Sequence, residues 1–324
     1  MIICRSPLRI SLGGGGTDIP SYYKKYEGRV ISAAINKYVF TTIIVPYIDG
    51  IFLKYSNSEN VKKIKDIKHP IIREVLKNYK NISKRIEITT LADIPSGTGL
   101  GSSGSFTNSL IKALQELQNK KVSNRELAEE SCKIEIENLK RPVGKQDQFI
   151  SSYGGLKNFK FKKNGKVLVE NINIKKKTTN RLEKNLLLFF TGFTRSSSKI
   201  LSKQDNQTKN SQKKIIENLH EVKKIGEETS KLFEKGNLYD FGELMNYHWK
   251  KKLERSKEIS NEKINFMYNE ALKNGAVGGK LVGAGGGGFL MFYAEDKEKL
   301  RHKMRKLKIN ELNFNFDYEG TKIL

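Results

Sequence analysis

Asp93–Phe106 reads D-I-P-S-G-T-G-L-G-S-S-G-S-F, with four glycines and four serines in fourteen residues. Before it, Ile86–Leu91 alternates like a strand. After it, Ser105–Leu117 carries Phe106, Leu110, Ala113, Leu114 and Leu117 on one helical face. A strand that feeds a glycine-rich turn and then a helix is suited to phosphate. Glycines let backbone N–H groups approach the oxygens, and the helix presents its positive end. Ser102 and Ser103 add hydroxyls for phosphate or a magnesium ion. The stretch is not G-x-x-x-x-G-K-[ST], because no Lys-Ser/Thr pair follows. It is not G-x-G-x-x-G either, because the position three after Gly99 is Ser102. A flexible β-to-α turn is the plain alternative, and the flanking strand and helix favour the anion.

Working outward, Ile2–Leu12 reads as a strand that runs into G-G-G-G-T-D at Gly13–Asp18, where no regular element persists. Arg29–Val45 reads as a strand pair, Ile51–Tyr55 as a short strand and His69–Tyr79 as a helix. Asn124–Leu139 reads as one helix capped by Ser123 or Asn124, followed by a turn over Arg141–Phe149. Strand-like pieces follow at Gly155–Phe161 and Val167–Ile174. The polar run Lys175–Lys184 is the expected boundary between domains 1–175 and 176–324. Beyond it stand a strand at Leu186–Thr191, helices at Ser211–Phe233, Leu238–Leu253 and Glu262–Lys273, and a strand at Leu290–Tyr293. A third glycine cluster, G-A-G-G-G-G-F, occupies Gly283–Phe289.

The 324 residues suffice for two cores, and 37% hydrophobic content places the 29% charged residues on a folded surface. Two cysteines, Cys4 and Cys132, exclude a disulfide scaffold and fit a reducing compartment. The four histidines lack metal-binding spacing, so no structural zinc is expected. There is no signal-peptide pattern and no apolar run long enough to span a bilayer, so a soluble, cytoplasmic protein without membrane contact is expected. The net charge of +25 raises nucleic acid as a partner. The lysines are spread along the chain, however, with no basic tail or aromatic-interleaved stripe. No nucleic-acid role is expected, although a positive surface attracts small anions.

Three further residues could carry chemistry. Asp147 sits among polar neighbours after a helix, where a carboxylate can meet a hydroxyl, although a lone loop Asp is usually a turn-former. Glu135 or Glu137, on the preceding helix, could face a magnesium ion, or both could simply meet solvent. Arg9 lies in an apolar strand, where an arginine must be paired or sit at an edge.

The constellation is more specific than its parts. S-P-L-R-I-S-L-G-G-G-G-T-D from Ser6, P-S-G-T-G-L-G-S-S-G-S from Pro95 and the cluster at Gly283–Phe289 occur in this order. Together they resemble the three motifs of the GHMP small-molecule kinase superfamily, and the resemblance covers essentially the whole chain. R-I-S-L-G-G-G-G-T-D-I-P, V-G-K-Q-D-Q-F, T-G-F-T-R-S-S and G-A-V-G-G-K-L-V-G-A-G-G-G-G-F look like the D-glycero-D-manno-heptose 7-phosphate kinase branch. Galactokinases instead show E-H-T-D where this chain has Gly15-Gly16-Thr17-Asp18.

The resemblance implies an α+β two-domain fold, ribosomal-protein-S5-like in its N-terminal half and ferredoxin-like in its C-terminal half. The implied cofactors are ATP and Mg2+. Pro95, Ser96, Gly97, Thr98, Gly99, Leu100, Gly101, Ser102 and Ser103 would wrap the ATP phosphates, with Ser103 and Glu135 at the metal. Asp147 would be the catalytic aspartate and Arg9 its basic partner. Gly15, Gly16, Thr17, Asp18, Gln146, Gly285 and Gly286 would lie at the sugar, and Lys280 near enough to consider for a phosphate. Arg195, among serines, is the preferred ligand for a phosphate already on the acceptor. The implied reaction is phosphorylation of the anomeric hydroxyl of a heptose 7-phosphate. The rivals are a fucose- or galactose-type 1-kinase and a catalytically silent sugar or ATP binder on the same fold. The sequence leaves monomer and homodimer open.

Overall fold

The computed structural model describes residues 1–79, 84–194 and 198–324, the side chain of residue 198 excepted. In the first half the chain forms β1 (Ile2–Gly13), α1 (Pro20–Tyr26), β2 (Gly28–Ile44), β3 (Gly50–Lys54), β4 (Ser58–Val61), α2 (Pro70–Asn78) and β5 (Arg85–Ala92). These are followed by α3 (Ser102–Leu117), α4 (Asn124–Cys132), α5 (Gln146–Tyr153), β6 (Leu156–Phe161) and β7 (Val167–Asn171). The second half holds α6 (Lys176–Asn185), β8 (Leu186–Phe190), α7 (Ser198–Lys209), α8 (Lys213–Lys235), α9 (Leu238–Leu253) and α10 (Glu262–Lys273). It closes with β9 (Ala276–Leu281), β10 (Phe289–Ala294), α11 (Lys297–Lys306), β11 (Glu311–Leu312) and β12 (Lys322–Ile323).

The strands form two sheets. An eight-stranded sheet runs β12-β1-β2-β5-β3-β4, with β6 on β2 and β7 on β6. A four-stranded sheet runs β11-β8-β10-β9. The long β2 pairs with β1 on one edge, and on the other with β5 at one end and β6 at the other, all antiparallel. The connection from β5 to β6 therefore carries α3, α4 and α5 across this sheet. β1 is buried nearly end to end because α3, α5, α8 and α9 all pack on it. One core is shared between the sheets: Leu8, Ile10 and Leu12 of β1 join Leu188, Phe241 and Met291 of the second half.

The structure redraws several sequence expectations. Arg29–Val45 is one strand rather than a pair. The register jumps from Pro7 opposite Tyr38 to Leu8 opposite Ile35, so Asn36–Lys37 is a bulge, placed where Pro7 cannot donate to the ladder. The boundary run Lys175–Lys184 is mostly helix, and β12 returns from the end of the chain to pair with Cys4 and Arg5. Chain order and sheet membership thus differ for the last residues. Asp147 lies in the first turn of α5 and not in a loop.

Candidate active site

The loop after β5 has Gly97, Gly99 and Gly101 at φ of +79°, +83° and +80°, the left-handed region open to glycine. Leu100 is fully buried in the shared core and pins the loop, while the Thr98 hydroxyl bonds Pro95 O at 3.0 Å. Pro95, Ser96 and Gly97 are exposed. A Cβ on Gly99 would lie 2.5 Å from Val282 O, and one on Gly288 2.1 Å from Thr98 O. Two glycine segments nearly two hundred residues apart therefore meet backbone to backbone. α3 begins at Ser102, so its positive end faces the loop.

Arg9 and Asp147 are brought together. Arg9 Nε donates to Asp147 Oδ1 at 2.7 Å and Nη2 to Oδ2 at 2.9 Å, while Nη1 donates to Gly99 O. The arginine side chain is 8% exposed and the aspartate 29%, so the carboxylate edge can still meet a ligand. α3 and α5 approach closely here, since a Cβ on Gly104 would lie 2.8 Å from Asp147 Cβ.

Glu135 and Glu137 separate cleanly. The expected helix Asn124–Leu139 is α-helical only to Cys132, then π-helical over Lys133–Asn138, with Leu139 N bonded to Ile134 O at 3.0 Å. This turn buries Glu135 and leaves Glu137 exposed. Glu135 Oε1 accepts from Gln148 Nε2 at 2.8 Å and from Thr107 Oγ1 at 3.2 Å. Its Oε2 accepts from Ser103 Oγ and from Arg141 Nη1, and Arg141 Nη1 also reaches Ser103 Oγ at 2.6 Å. A hydroxyl and a carboxylate at the mouth of a phosphate loop are hard oxygen donors. They fit Mg2+, which takes one or two carboxylates and completes its shell with phosphate and water.

On the other side of Asp147, Asp18 Oδ2 accepts from Gln146 N at 3.0 Å and Oδ1 from Gly16 N at 3.2 Å. Burial raises the Asp18 carboxyl above the usual range, opposed by the Gln146 N–H. Gln146 Oε1 accepts from Ser11 Oγ at 3.1 Å, and Gly15 and Gly16 remain half-buried. Thr17 requires a correction. Its side chain is fully buried, donating to Gly14 O and Arg29 O and accepting from Arg29 N, so it holds the turn and not a sugar. Gly285 and Gly286 are likewise buried, packed on Ile259 and bonded through Gly286 N to Ile259 O at 2.8 Å. They support the site from behind. Arg195 lies outside the described residues.

Lys280, considered for a phosphate from the sequence, belongs to a group of cations whose other members sequence reasoning missed. Lys252 is buried, with Nζ on Leu281 O at 2.8 Å and Gly283 O at 2.5 Å. Lys280 is buried, with Nζ 3.0 Å from both Leu12 O and His248 Nδ1. Burial, then Arg255 and Arg9, brings Lys280 down to about 7, while burial and neighbouring Lys280 bring Lys252 and His248 well below their usual values. Arg255 reaches Gly15 O through Nη1. Lys280 was legible from its place beside a glycine cluster. Lys252, Arg255 and Arg141 had no signal beyond a generally basic chain.

Comparison with known proteins places the chain in a family. Residues 66–155 match the GHMP kinases N terminal domain and residues 229–310 the GHMP kinases C terminal domain. The chain belongs to the GHMP kinases, and it is an ATP-dependent phosphotransferase with their two-domain α+β fold. It is similar to D-glycero-alpha-D-manno-heptose 7-phosphate kinase of Campylobacter jejuni, at 31% identity over 98% of this chain and 97% of that one. Among solved structures it is similar to a D-glycero-D-manno-heptose 1-phosphate kinase from Bacteroides thetaiotaomicron. That match has a TM-score of 0.82 and 24% identity, covering 100% of this chain and 99% of the other. The galactose complex of Lactococcus lactis galactokinase matches at TM-score 0.77 and 18% identity, covering 100% and 95%. Among the described residues no helix is long and apolar enough to cross a membrane.

Proposed function

We propose that this chain transfers the γ-phosphoryl group of ATP to the anomeric hydroxyl of D-glycero-D-manno-heptose 7-phosphate. The products are the 1,7-bisphosphate and ADP, in the cytoplasm, on the way to a nucleotide-activated heptose for surface polysaccharide. The observation that carries the reading is full-length likeness to a heptose 7-phosphate kinase at 31% identity, joined to a bidentate Arg9–Asp147 pair beside a phosphate loop.

The chemistry follows from positions. The anomeric hydroxyl is more acidic than an ordinary alcohol, so Asp147 can orient it and take its proton as the oxygen bonds to the γ-phosphorus. The bond from that phosphorus to the bridging oxygen breaks, and the electron pair leaves on ADP. Arg9 holds the carboxylate in place and favours charge developing on the sugar oxygen. The loop N–H groups and the start of α3 would hold the phosphates, and Ser103 and Glu135 would hold Mg2+. When bound, Mg2+ supplies neutralisation of charge on the transferring oxygens. Asp18, Gln146 and the Gly15–Gly16 edge would meet the sugar.

The test is ADP release across heptose 7-phosphate, mannose 6-phosphate, fucose and galactose, with the product's phosphate position read by NMR. Turnover equal or greater on the unphosphorylated sugars would reject the assignment and favour a fucose- or galactose-type 1-kinase. That second reading has support from likeness to the L-fucokinase/L-fucose-1-P guanylyltransferase of Bacteroides fragilis, at 24% identity over 91% of this chain and 34% of that one. ATP binding without ADP release on any acceptor would leave the silent binder.

A further inference from the structure

Arg255, just past α9, reaches the turn at Gly13–Gly16 through Gly15 O. Lys252 in the last turn of α9 holds Leu281 O and Gly283 O, and Lys280 of β9 lies against His248 and Leu12 O. Lys252 and Lys280 each have two short hydrogen bonds, so the third ammonium direction of each is their remaining donor. Arg255 is less satisfied. Its Nε donates to Asn218 Oδ1 at 2.8 Å, but Nη1 makes only long contacts, 3.5 Å to Gly15 O and 3.4 Å to Gln204 Oε1. Its Nη2 is buried and has no hydrogen-bond partner among the described residues. A charged donor left so is costly and is uncommon in a finished structure.

The charges around it are one-sided. Among the described residues none of Lys252, Arg255 and Lys280 forms an ion pair, and burial with mutual repulsion lowers the lysines. Burial brings Arg255 down to about 10. Glu254, the acid that acts on Arg255, is held by Lys251 at 2.9 Å and by Asn218 Nδ2 at 3.1 Å. Cations at the end of a helix gain from its dipole, but that effect is worth little against burial of several like charges. The arrangement becomes favourable when an anion enters it.

Position distinguishes which anion. The loop at Gly97–Ser103 and the start of α3 serve the nucleotide. Arg255 instead meets Gly15 O, and from that turn contacts run through Gly16 N and Asp18 to Gln146, the neighbour of Asp147. Resting on the reading of the acceptor as a sugar phosphate, we infer that Arg255, backed by the charge of Lys252 and Lys280, receives the phosphate the acceptor already carries. The guanidinium fork matches phosphate geometry and supplies the free Nη2 and the loosely held Nη1. The reacting hydroxyl and the acceptor phosphate are then held at separate points of one sugar.

The test uses the full chain as wild type, Arg255→Gln and Arg255→Lys. Calorimetric titration with inorganic phosphate reads the anion site directly, and steady-state kinetics give KM for heptose 7-phosphate and for ATP. Arg255→Gln is expected to weaken phosphate and to raise the acceptor KM by ~10-fold or more, with the effect concentrated in KM and not in kcat. Arg255→Lys, which keeps charge and loses the fork, falls between. Unchanged phosphate affinity and acceptor KM overturn the inference. So does a loss confined to kcat or to the KM for ATP, which marks a brace for the Gly15–Gly16 turn. If Arg255→Gln lowers the urea midpoint, the lysine variant decides. Phosphate bound through Arg255 in an enzyme active only on uncharged sugars sinks the heptose 7-phosphate reading and leaves the anion site standing. Heptose 7-phosphate turnover indifferent to Arg255 does the reverse.

Discussion

Replacing Asp147 by Asn tests the proposed chemistry with little change of shape. The amide keeps one oxygen for Arg9 but turns an NH2 toward a guanidinium N–H where Oδ1 or Oδ2 now accepts at 2.7 or 2.9 Å. Hydrogen bonds to a charged partner are worth ~1.5–3 kcal/mol, and breaking a buried pair costs ~3–5 kcal/mol. The lower range applies because the aspartate side chain is 29% exposed and Arg9 keeps Gly99 O. A stability loss of ~1.5–3 kcal/mol is therefore expected, which leaves the enzyme folded. Turnover should fall much further. A positioned base contributes ~10²–10⁴-fold, so kcat in ADP release at saturating ATP and acceptor should drop by that factor.

A cycle with Arg9→Met separates the two effects. If Arg9 acts through Asp147, the double variant loses little more kcat than Asp147→Asn alone, because residues that act as a unit do not add. Turnover of Asp147→Asn within ~10-fold of wild type would remove the carboxylate from proton transfer. Independent, multiplying losses in the double variant would show that the pair is not one device. A urea midpoint measured on every variant keeps unfolding from passing as lost chemistry.

Other perturbations have definite outcomes. Gly99→Ala places a side chain at φ +83° and 2.5 Å from Val282 O, so it should cost ~1–3 kcal/mol and raise the KM for ATP; an unaltered KM would mean the loop does not hold phosphate. Glu135→Gln should raise the Mg2+ concentration for half-maximal activity by ~10-fold or more while Glu137→Gln does not; equal effects would undo the assignment made from burial. Lys280, at about 7 in the folded chain and ~10.4 unfolded, leaves the unfolded state holding the extra proton between those values. Without ligand its contribution therefore raises stability from pH 7 to 10, by at most ~4 kcal/mol, and Lys280→Met should flatten that rise in the urea midpoint. Parallel pH profiles would place a charged lysine in the fold.

The legible part of the site is the part made of glycine and its immediate neighbours. Gly97, Gly99 and Gly101 announced a backbone conformation that other residues resist, and all three adopt it. Helices with strong apolar periodicity were legible as well: Leu238–Leu253 and Glu262–Lys273 have the expected bounds. What was hidden depends on partners distant in sequence. Asn36–Lys37 is a bulge beside the step from Pro7 opposite Tyr38 to Leu8 opposite Ile35, a register that β2 alone does not announce. Glu135 and Glu137 could not be separated by α-helical spacing because the segment turns with π-helical bonds. Thr17 looked like a ligand residue, but its hydroxyl is used up by the backbone of Gly14 and Arg29. Arg255 gave no signal because basic residues stand throughout a chain of net charge +25.

The buried cations and the glycine segments are parts of one arrangement. Gly99 O is held by Arg9, Leu12 O by Lys280, and Leu281 O and Gly283 O by Lys252, while Gly15 O meets Arg255. Each glycine-rich segment thus has a carbonyl in it or at its edge turned toward a basic side chain. In a planar trans peptide the following N–H points the opposite way, so every carbonyl drawn to a cation aims an amide hydrogen away from it. Glycine permits that orientation, and the cations fix it. Burial and crowding by neighbouring cations push Lys252 and Lys280 toward the neutral form in the empty protein, and an anion entering the cluster would favour their charged forms. A carboxylate placed to neutralise the cluster would stabilise the empty protein and weaken both functions of these side chains. On the proposed reading, Asp147 is the acid left to meet the reacting hydroxyl, and its carboxylate is already held by Arg9.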